Sequence, residues 1–107
     1  MRTFPAPLAA LADETRWNLL VHLGEHPSSA SALATRFPIS RQAINKHLAV
    51  LAEAGLVESR MVGRERRFAP IGANLSALAR YLDEVSRAWD RRLLALKIRA
   101  EAEEETP

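Results

Sequence analysis

Residues 30–56 read ASALATRFPISRQAINKHLAVLAEAGL, which is a short helical pattern, a turn and a longer helical pattern in succession. Pro38 prevents the first helix from continuing, because proline disfavours a helical conformation in the residue before it and has no N–H to donate. Ser40 is a suitable N-cap for a second helix from Arg41 to about Ala54, and Gly55 stands where helices commonly end in a left-handed conformation. This order predicts a helix-turn-helix.

The second of these helices is amphipathic and carries side chains suited to reading DNA. Ile44, Leu48 and Leu51 share one face, and the opposite face is polar. A helix fits the major groove, where Gln and Asn can pair bidentately with adenine, Arg with guanine, and Ala can contact a thymine methyl. The predicted DNA-binding residues of this helix and its cap are Ser40, Arg41, Gln42, Ala43, Asn45 and Lys46.

A basic hairpin is predicted to follow this helix and to make the motif a winged one. Residues 56–61 and 66–70 have the composition of strands, and Gly63 supplies the turn between them. Arginines on such a hairpin contact the DNA backbone or the minor groove, and they add affinity and salt dependence more than sequence information. The predicted DNA-binding residues of the hairpin are Arg64, Arg66 and Arg67.

Further helices are predicted on both sides of this segment. A short first helix follows Pro7, and Asp13 can cap a second helix over residues 14–23. From Asn74 to about Ala102, apolar residues recur at spacings of 3, 4, 3 and 4, which predicts a final helix roughly 42 Å long. A domain of this size cannot cover so long a helix on one side, so part of the apolar stripe needs another partner.

Length, cysteine content and charge restrict the possible functions. The chain of 107 residues is too short for two independent cores, and without cysteine it cannot form disulfides or thiolate metal sites. Between Arg36 and Arg67 there are seven basic and three acidic residues, although the formal net charge of the whole chain is only +2. This basic middle indicates a nucleic-acid partner, the alternative being an ordinary solvated surface. No apolar run could span a bilayer and no secretion signal is present, which predicts a cytoplasmic location and no membrane partner.

Four separated motifs occur in an order that resembles the ArsR/SmtB family of bacterial transcriptional regulators. They are Asp13-Glu14-Thr15-Arg16, Ser40-Arg41-Gln42-Ala43-Ile44-Asn45-Lys46-His47-Leu48, Ala49-Val50-Leu51-Ala52-Glu53-Ala54-Gly55-Leu56-Val57 and Gly63-Arg64-Glu65-Arg66-Arg67-Phe68. The resemblance covers about residues 6–100 and implies a sequence-specific, homodimeric DNA-binding repressor that an effector releases. It also implies a recognition helix from Ser40 to Ala54, a wing from Val57 to Pro70, and dimer contacts through the first and last helices. The predicted dimer residues are Leu8, Leu11, Leu78, Leu82, Val85, Trp89, Leu93 and Leu96.

The predicted fold class is mainly α with a small β-hairpin, a winged helix-turn-helix with long N- and C-terminal dimerisation helices. We expect residues 1–107 to form a single DNA-binding domain. Its expected parts are the N-terminal helices at 6–27, the helix-turn-helix at 28–55, the wing at 56–71 and the dimerisation helix at 73–102.

The chain departs from the metal sensors of the family it resembles. Those sensors place Cys-x-Cys near the third helix, or Asp and His ligands on the last helix. Here residues 29–34 read SASALA, and the last helix has no histidine. The C-terminal stretch with Tyr81, residues 89–93 and Leu96 is similar to a metal-independent branch. We therefore expect no metal, no cofactor, and an effector, not identified by the sequence, that does not act on thiols.

One competing interpretation is a small hydrolase. Residues 22–26 read HLGEH, the H-x-x-E-H order of a zinc-protease motif with two histidines one helical turn apart. Gly24 and Pro27 place this segment at a helix end, and the sequence offers no evident third ligand. We therefore predict that the protein is not an enzyme and that His22 and His26 have structural roles.

A second competing interpretation is a protein-interaction adaptor. In this case the C-terminal amphipathic helix captures a protein partner, and the hairpin is an ordinary soluble element that does not bind DNA. Salt-dependent binding to duplex DNA separates a regulator from such an adaptor.

Two further side chains are predicted to be structural rather than ligand-binding. His47 lies on the inward shoulder of the recognition helix, where we expect it to be hydrogen-bonded. Trp17 is expected on or near the apolar face of the second helix.

Overall fold

The computed structural model describes residues 6–104, which form five helices and three strands. In chain order they are α1 (Ala6–Leu11), α2 (Glu14–Glu25), β1 (Ser28–Ser29), α3 (Ala30–Arg36), α4 (Arg41–Glu53), β2 (Val57–Val62), β3 (Glu65–Pro70) and α5 (Gly72–Glu104). The predicted mainly helical fold with a β-hairpin and a long C-terminal helix is confirmed. The N-terminal helix is short over the described residues, with six residues against 33 in α5.

The chain divides into two compact units within α5. The first unit ends at Leu75 and the second begins at Ser76. The first unit therefore holds α1 to α4, the sheet and the first turn of α5. Over the described residues, the second unit consists of the remainder of α5.

The core of the first unit is made by apolar side chains at helical spacing on α2, α3 and α4 and by the chain that leaves α4. Helical periodicity brings such residues onto one face of each helix, where burial removes their apolar surface from water. The fully buried side chains are Leu19, Leu23, Leu33, Ile44, Leu48, Leu51, Leu56 and Val57. Because α4 uses one face for this core, its other face is left to solvent.

Short polar side chains cap the N-termini of three helices of the first unit, α2, α3 and α4. The Asp13 carboxylate accepts a hydrogen bond from the backbone N–H of Arg16 at 2.9 Å. The hydroxyl oxygens of Ser29 and Ser40 each accept one, at 3.1 Å, from the N–H three residues ahead. These bonds satisfy N–H groups that have no partner inside the helix. The predicted caps Asp13 and Ser40 are confirmed.

Gly55 ends α4 in the left-handed conformation that the sequence predicts, with φ of 76°. The N–H of Leu56 donates to the Leu51 carbonyl oxygen at 2.9 Å, and the N–H of Gly55 donates to that of Ala52 at 3.0 Å. This double closure is the Schellman arrangement, and it turns the chain directly into β2. The Asn74 side-chain amide then donates to the Gly55 carbonyl oxygen at 2.7 Å, so the end of α4 is tied to the first turn of α5.

The sheet has one strand more than the sequence predicts. Its order is β1-β3-β2 with antiparallel pairing throughout, and β1 pairs Ser28 with Phe68 and Ser29 with Arg67. The prediction of a two-stranded hairpin therefore omits β1, which joins the wing to the start of α3. In the hairpin itself, Gly63 has φ of 65° and supplies the predicted turn.

Trp17 does not lie where the helical pattern predicts, and that prediction is wrong. The side chain is 51% exposed, and Val21 one turn later is also exposed. The reason is that α2 packs through Leu19, Leu20 and Leu23, which leaves the Trp17 stripe outside the core.

No helix within residues 6–104 combines the length and the apolar composition required to cross a membrane.

Candidate nucleic-acid interface

The turn between α3 and α4 is held by backbone hydrogen bonds on both sides of Pro38. The N–H of Phe37 donates to the Leu33 carbonyl oxygen at 3.0 Å, and the N–H of Ile39 donates to that of Phe37 at 2.8 Å. The side chains of Phe37 and Ile39 are half-buried and pack against the core. The orientation of α4 relative to α3 is therefore fixed by both the backbone and the core.

α4 separates a buried face from an exposed polar one. Ile44, Leu48 and Leu51 are almost completely buried. The other side carries the exposed residues Gln42 and Lys46, which lie roughly 100° and 140° around the helix from Arg41. The predicted DNA-binding residues Ser40, Arg41 and Asn45 are also exposed, whereas Ala43 is half-buried. The arrangement leaves the first turns of α4 free to meet a ligand.

The wing places its arginines on two opposite faces. Successive residues of a strand alternate between faces, so Arg66 and Arg67 point apart. In the register of the hairpin Arg66 lies opposite Met61, and Arg67 lies opposite Arg60. Arg67 pairs with Glu65 at 3.2 Å, and Arg60 pairs with Glu58 at 3.7 Å.

A cleft of about 320 Å³ lies between the start of α3, the first turns of α4 and the wing. It brings together four of the predicted DNA-binding residues, Arg41, Asn45, Arg64 and Arg66. Glu65 also lines it, together with the Ser29–Ser31 segment and Phe68. Arg67 does not line this cleft and lies instead in a hollow on the other side of the hairpin, with Glu58 and Arg60.

Behind α4, Asp13 and Arg16 join the start of α2 to α1. The pKa of Asp13 is lowered, chiefly because the backbone N–H of Arg16 donates to its carboxylate, with smaller effects from the charges of Arg16 and His47. The Arg16 Nε donates to the Ala10 carbonyl oxygen at 2.6 Å. Asp13 and Arg16 are thus used to hold the scaffold.

The three histidines lie away from the cleft. The His22 ring packs edge-on against Phe37 with centroids 5.9 Å apart, and it lies 5.8 Å from the ring of exposed His26. His47 is half-buried near Asp13, but its imidazole makes no hydrogen bond to any of residues 6–104, so the predicted side-chain hydrogen bond is absent there. Over the same part of the chain, no group of three or more His, Asp or Glu residues is arranged to hold a metal ion.

The second unit presents an apolar stripe along α5. None of the residues of α5 from Gly72 to Glu104 is buried. The predicted dimer residues Leu82, Val85, Trp89, Leu93 and Leu96 are all exposed, and Leu78 is half-buried. The Arg92 guanidinium lies over the Trp89 ring, 5.4 Å from its centroid. On α1, Leu8 and Leu11 are half-buried, and Leu11 already packs against the core of its own unit.

Sequence reasoning missed two exposed apolar pairs that lie on helices outside this stripe. Leu94 and Ile98 are exposed near the opposite side of α5, roughly 140° and 180° around the helix from Trp89. Counting at 100° per residue would have separated them from the dimer stripe. The other pair, Trp17 and Val21 on α2, carries no such signal, because only the packing of the unit decides which face of α2 is buried.

Comparison with known proteins finds a helix-turn-helix family model and several transcriptional regulators that are similar to this chain. A family model described as a helix-turn-helix domain matches residues 11–60. The HTH-type transcriptional regulator Rv2034 of Mycobacterium tuberculosis is 38% identical over 96 residues, which are 87% of each chain. An ArsR-like transcriptional regulator from Rhodococcus sp. RHA1 has a structure with a TM-score of 0.77 and 55% identity, covering 86% of this chain and 87% of that one. The structure of the cadmium metal-sensor CMTR from M. tuberculosis has a TM-score of 0.55 and 34% identity, covering 61% of this chain and 67% of that one.

Proposed function

The chain belongs to the ArsR family of winged helix-turn-helix transcriptional regulators, and from this premise we propose that it is a homodimer that binds a two-fold-symmetric DNA operator and represses transcription. One observation carries the proposal. The inner face of α4 is completely buried, while its polar first turns are exposed beside a cleft that contains three arginines.

DNA binding follows from the dimensions and chemistry of this surface. An α-helix with exposed polar side chains fits the major groove, and the amides of its first turn add a positive dipole toward phosphate. In the proposed complex the N-terminal half of α4 enters the major groove, where Gln42 meets base edges. The wing, with Arg64 and Arg66, contacts the backbone beside it. The expected site residues are those predicted from the sequence.

The dimer is proposed from the exposed stripe of α5. Monomeric proteins rarely leave a contiguous apolar patch of this kind in water, and such patches commonly mark an interface. Trp89, near the middle of the stripe, is the residue type that most often dominates binding energy when an interface buries it. A second copy would supply the matching stripe.

Regulation is proposed to act through the dimer. Two recognition helices reach successive major grooves when they are about 34 Å apart. An effector that binds one arrangement of the two copies more tightly than another shifts this spacing, and it releases the DNA by no more than that difference in affinity.

We further propose that this effector is not a thiol-bound metal. Soft metal ions such as cadmium favour thiolate ligands, and this chain has no cysteine, whereas one of its relatives is a cadmium sensor. The proposal therefore assigns the chain to the metal-independent branch, which its C-terminal stretch resembles. Its location in the cytoplasm and its lack of enzymatic activity are parts of the same proposal.

Footprinting tests this function. Purified protein is applied to duplex DNA from upstream of its own gene, and fragments are also selected from a random duplex library, both over a series of salt concentrations. We expect two protected half-sites one helical turn apart and an affinity that falls steeply with salt.

The opposite result would identify the adaptor instead. If no duplex is selected and no salt-dependent binding to DNA is detected, the protein does not regulate transcription by binding DNA, and the adaptor, which acts through the exposed stripe of α5, is the better account.

A further inference from the structure

Five arginines of the recognition helix and the wing form two groups, which differ in whether they line the cleft. Arg60 and Arg67 lie on the outer side of the hairpin and are each paired with a glutamate. Arg41, Arg64 and Arg66 line the cleft, and none of these three forms an ion pair with any of residues 6–104. The sequence alone does not show which of these five arginines share the cleft.

The cleft has a net positive charge and no acid that neutralises it. Glu65 is its one acidic lining residue, and the carboxylate of Glu65 is held by the Nε of Arg67 at 3.2 Å. Three arginines from two elements line this space of about 320 Å³, and guanidinium groups are well suited to bind an anion with several oxygens. Asn45 adds an amide at the same edge.

The position of Arg41 on α4 separates it from the surface that faces bases. Arg41 and Asn45, four residues apart, lie on the flank of the helix that turns toward the wing. Gln42 and Lys46 lie farther around the helix, are exposed, and do not line the cleft. A helix seated in the major groove presents its outer face to bases and its flanks to the two sugar-phosphate strands.

We propose that this cleft binds the sugar-phosphate backbone of one DNA strand, with Arg41, Arg64 and Arg66 together contacting its phosphodiester oxygens. Arg41 is then a backbone contact. From its place in the first turn of α4, the sequence instead predicts that Arg41 reads guanine. Base preference at this part of the operator falls to Gln42 and Lys46. The inference rests on the proposed DNA binding and adds to it which residues carry sequence information.

Phosphate contacts and base contacts are distinguished by their response to salt and to DNA sequence. Affinity is measured over a salt series for the selected operator and for a random duplex of the same length. The variants are Arg41→Ala and Arg66→Ala in the cleft, and Gln42→Ala on the outer face. Arg60→Ala, which removes the same charge from the outer side of the hairpin, is the matched control. All four residues are exposed, so melting curves serve as the check that folding is unchanged.

We expect Arg41→Ala and Arg66→Ala each to flatten the slope of log affinity against log salt concentration by about 0.9. Each variant should reduce the affinity for the operator and for the random duplex by the same factor. Arg60→Ala leaves the slope and both affinities close to those of the wild type. Gln42→Ala keeps the slope and reduces the preference for the operator by roughly 5- to 140-fold. Arg41→Lys restores most of the slope, because a phosphate accepts a point charge where a bidentate base contact does not.

Two results overturn the inference and are distinguishable. If Arg41→Ala leaves the slope unchanged and loses affinity for the operator alone, Arg41 reads a base, the cleft is not a backbone site, and the regulator proposal stands. If the wild-type protein shows no salt-dependent binding to either duplex, both proposals fail together.

Discussion

α4 and α5 are both amphipathic helices, but of the two only α4 has an apolar face that is buried by other residues of the chain. The inner residues of α4, Ile44, Leu48 and Leu51, are at most 1% exposed. Along α5 no residue is buried, and the stripe from Leu82 to Leu96 is 39–58% exposed at its large apolar side chains. An apolar stripe in a sequence shows that a face must be covered, but it does not show which molecule covers it. The apolar face of α4 therefore contributes to folding, and that of α5 is the surface that we propose for association.

The largest expected effect is on folding, and it comes from removing a side chain beneath α4. Leu51→Ala leaves a cavity in a fully buried site and should lower the free energy of unfolding by about 2–5 kcal/mol. Urea denaturation at two protein concentrations measures it, with Leu96→Ala as the matched variant on α5. The loss in Leu51→Ala should be the same at both concentrations, whereas that of Leu96→Ala should depend on concentration. A loss below about 1 kcal/mol for Leu51→Ala would mean that the inner face of α4 is not tightly packed in this core.

The next effect is on association. Trp89→Ala should weaken the dimer by at least about 2 kcal/mol, because a buried interface tryptophan commonly carries that much binding energy. Leu94→Ala, which truncates an equally exposed side chain near the opposite face, should leave the dimer intact. Sedimentation equilibrium gives both dissociation constants. Equal effects of the two variants would remove the assignment of the stripe to the dimer.

A smaller effect is expected where α4 ends. Gly55→Ala forces an alanine to φ of 76°, and its Cβ would lie 3.4 Å from Asn74 Nδ2, so stability should fall by about 1–2 kcal/mol. Gly24→Ala is the matched control, because Gly24 lies inside α2 with no atom within 4 Å of an added Cβ, and it should raise stability by about 0.5–1 kcal/mol. Thermal and urea unfolding compare them. A stabilising Gly55→Ala would show that the left-handed closure is not required.

The smallest expected effect comes from the charge of the Asp13 carboxylate, which caps the N-terminus of α2. The hydrogen bond from the Arg16 N–H lowers the pKa of Asp13 below its unfolded value. This carboxylate therefore stabilises the fold above the unfolded pKa, and the contribution disappears as the pH falls through the folded pKa. Asp13→Asn retains a capping oxygen, so its stability should differ from the wild type at neutral pH and converge with it in strong acid. A difference that stays constant over the whole range would show that the charge is unimportant.

Much of the first unit could be predicted from sequence because its signals are local. Asp13 and Ser40 cap helices through bonds that span three residues, and α3 ends at Arg36, before Pro38, as the sequence predicts. The two-residue strand β1 could not be predicted in this way. Its pairing partners are remote in sequence, and two residues display no periodicity.

The sequence predicts a set of candidate site residues but not the surface that they form. Helical counting places Arg41 and Gln42 correctly on the first turn of α4, and strand alternation would have separated Arg66 from Arg67. Which flank of α4 faces the wing depends on how the hairpin is anchored, both by pairing with β1 and by contacts with α2, α3 and α4. The sequence therefore identified the basic residues without showing which of them share a cleft.

The pairing of Ser28 with Phe68 closes residues 29–67 into a loop whose ends meet at β1 and β3. Closing a long loop costs conformational entropy before its contacts compensate for that cost, so this pairing belongs late in the folding reaction, after the local helices have formed. The cleft is lined by residues of both α4 and the wing, so it is complete only when both are in place. During synthesis and refolding, the recognition helix would therefore exist before the basic surface beside it, and native-state hydrogen exchange should show the amides of β1 opening more readily than those of α4.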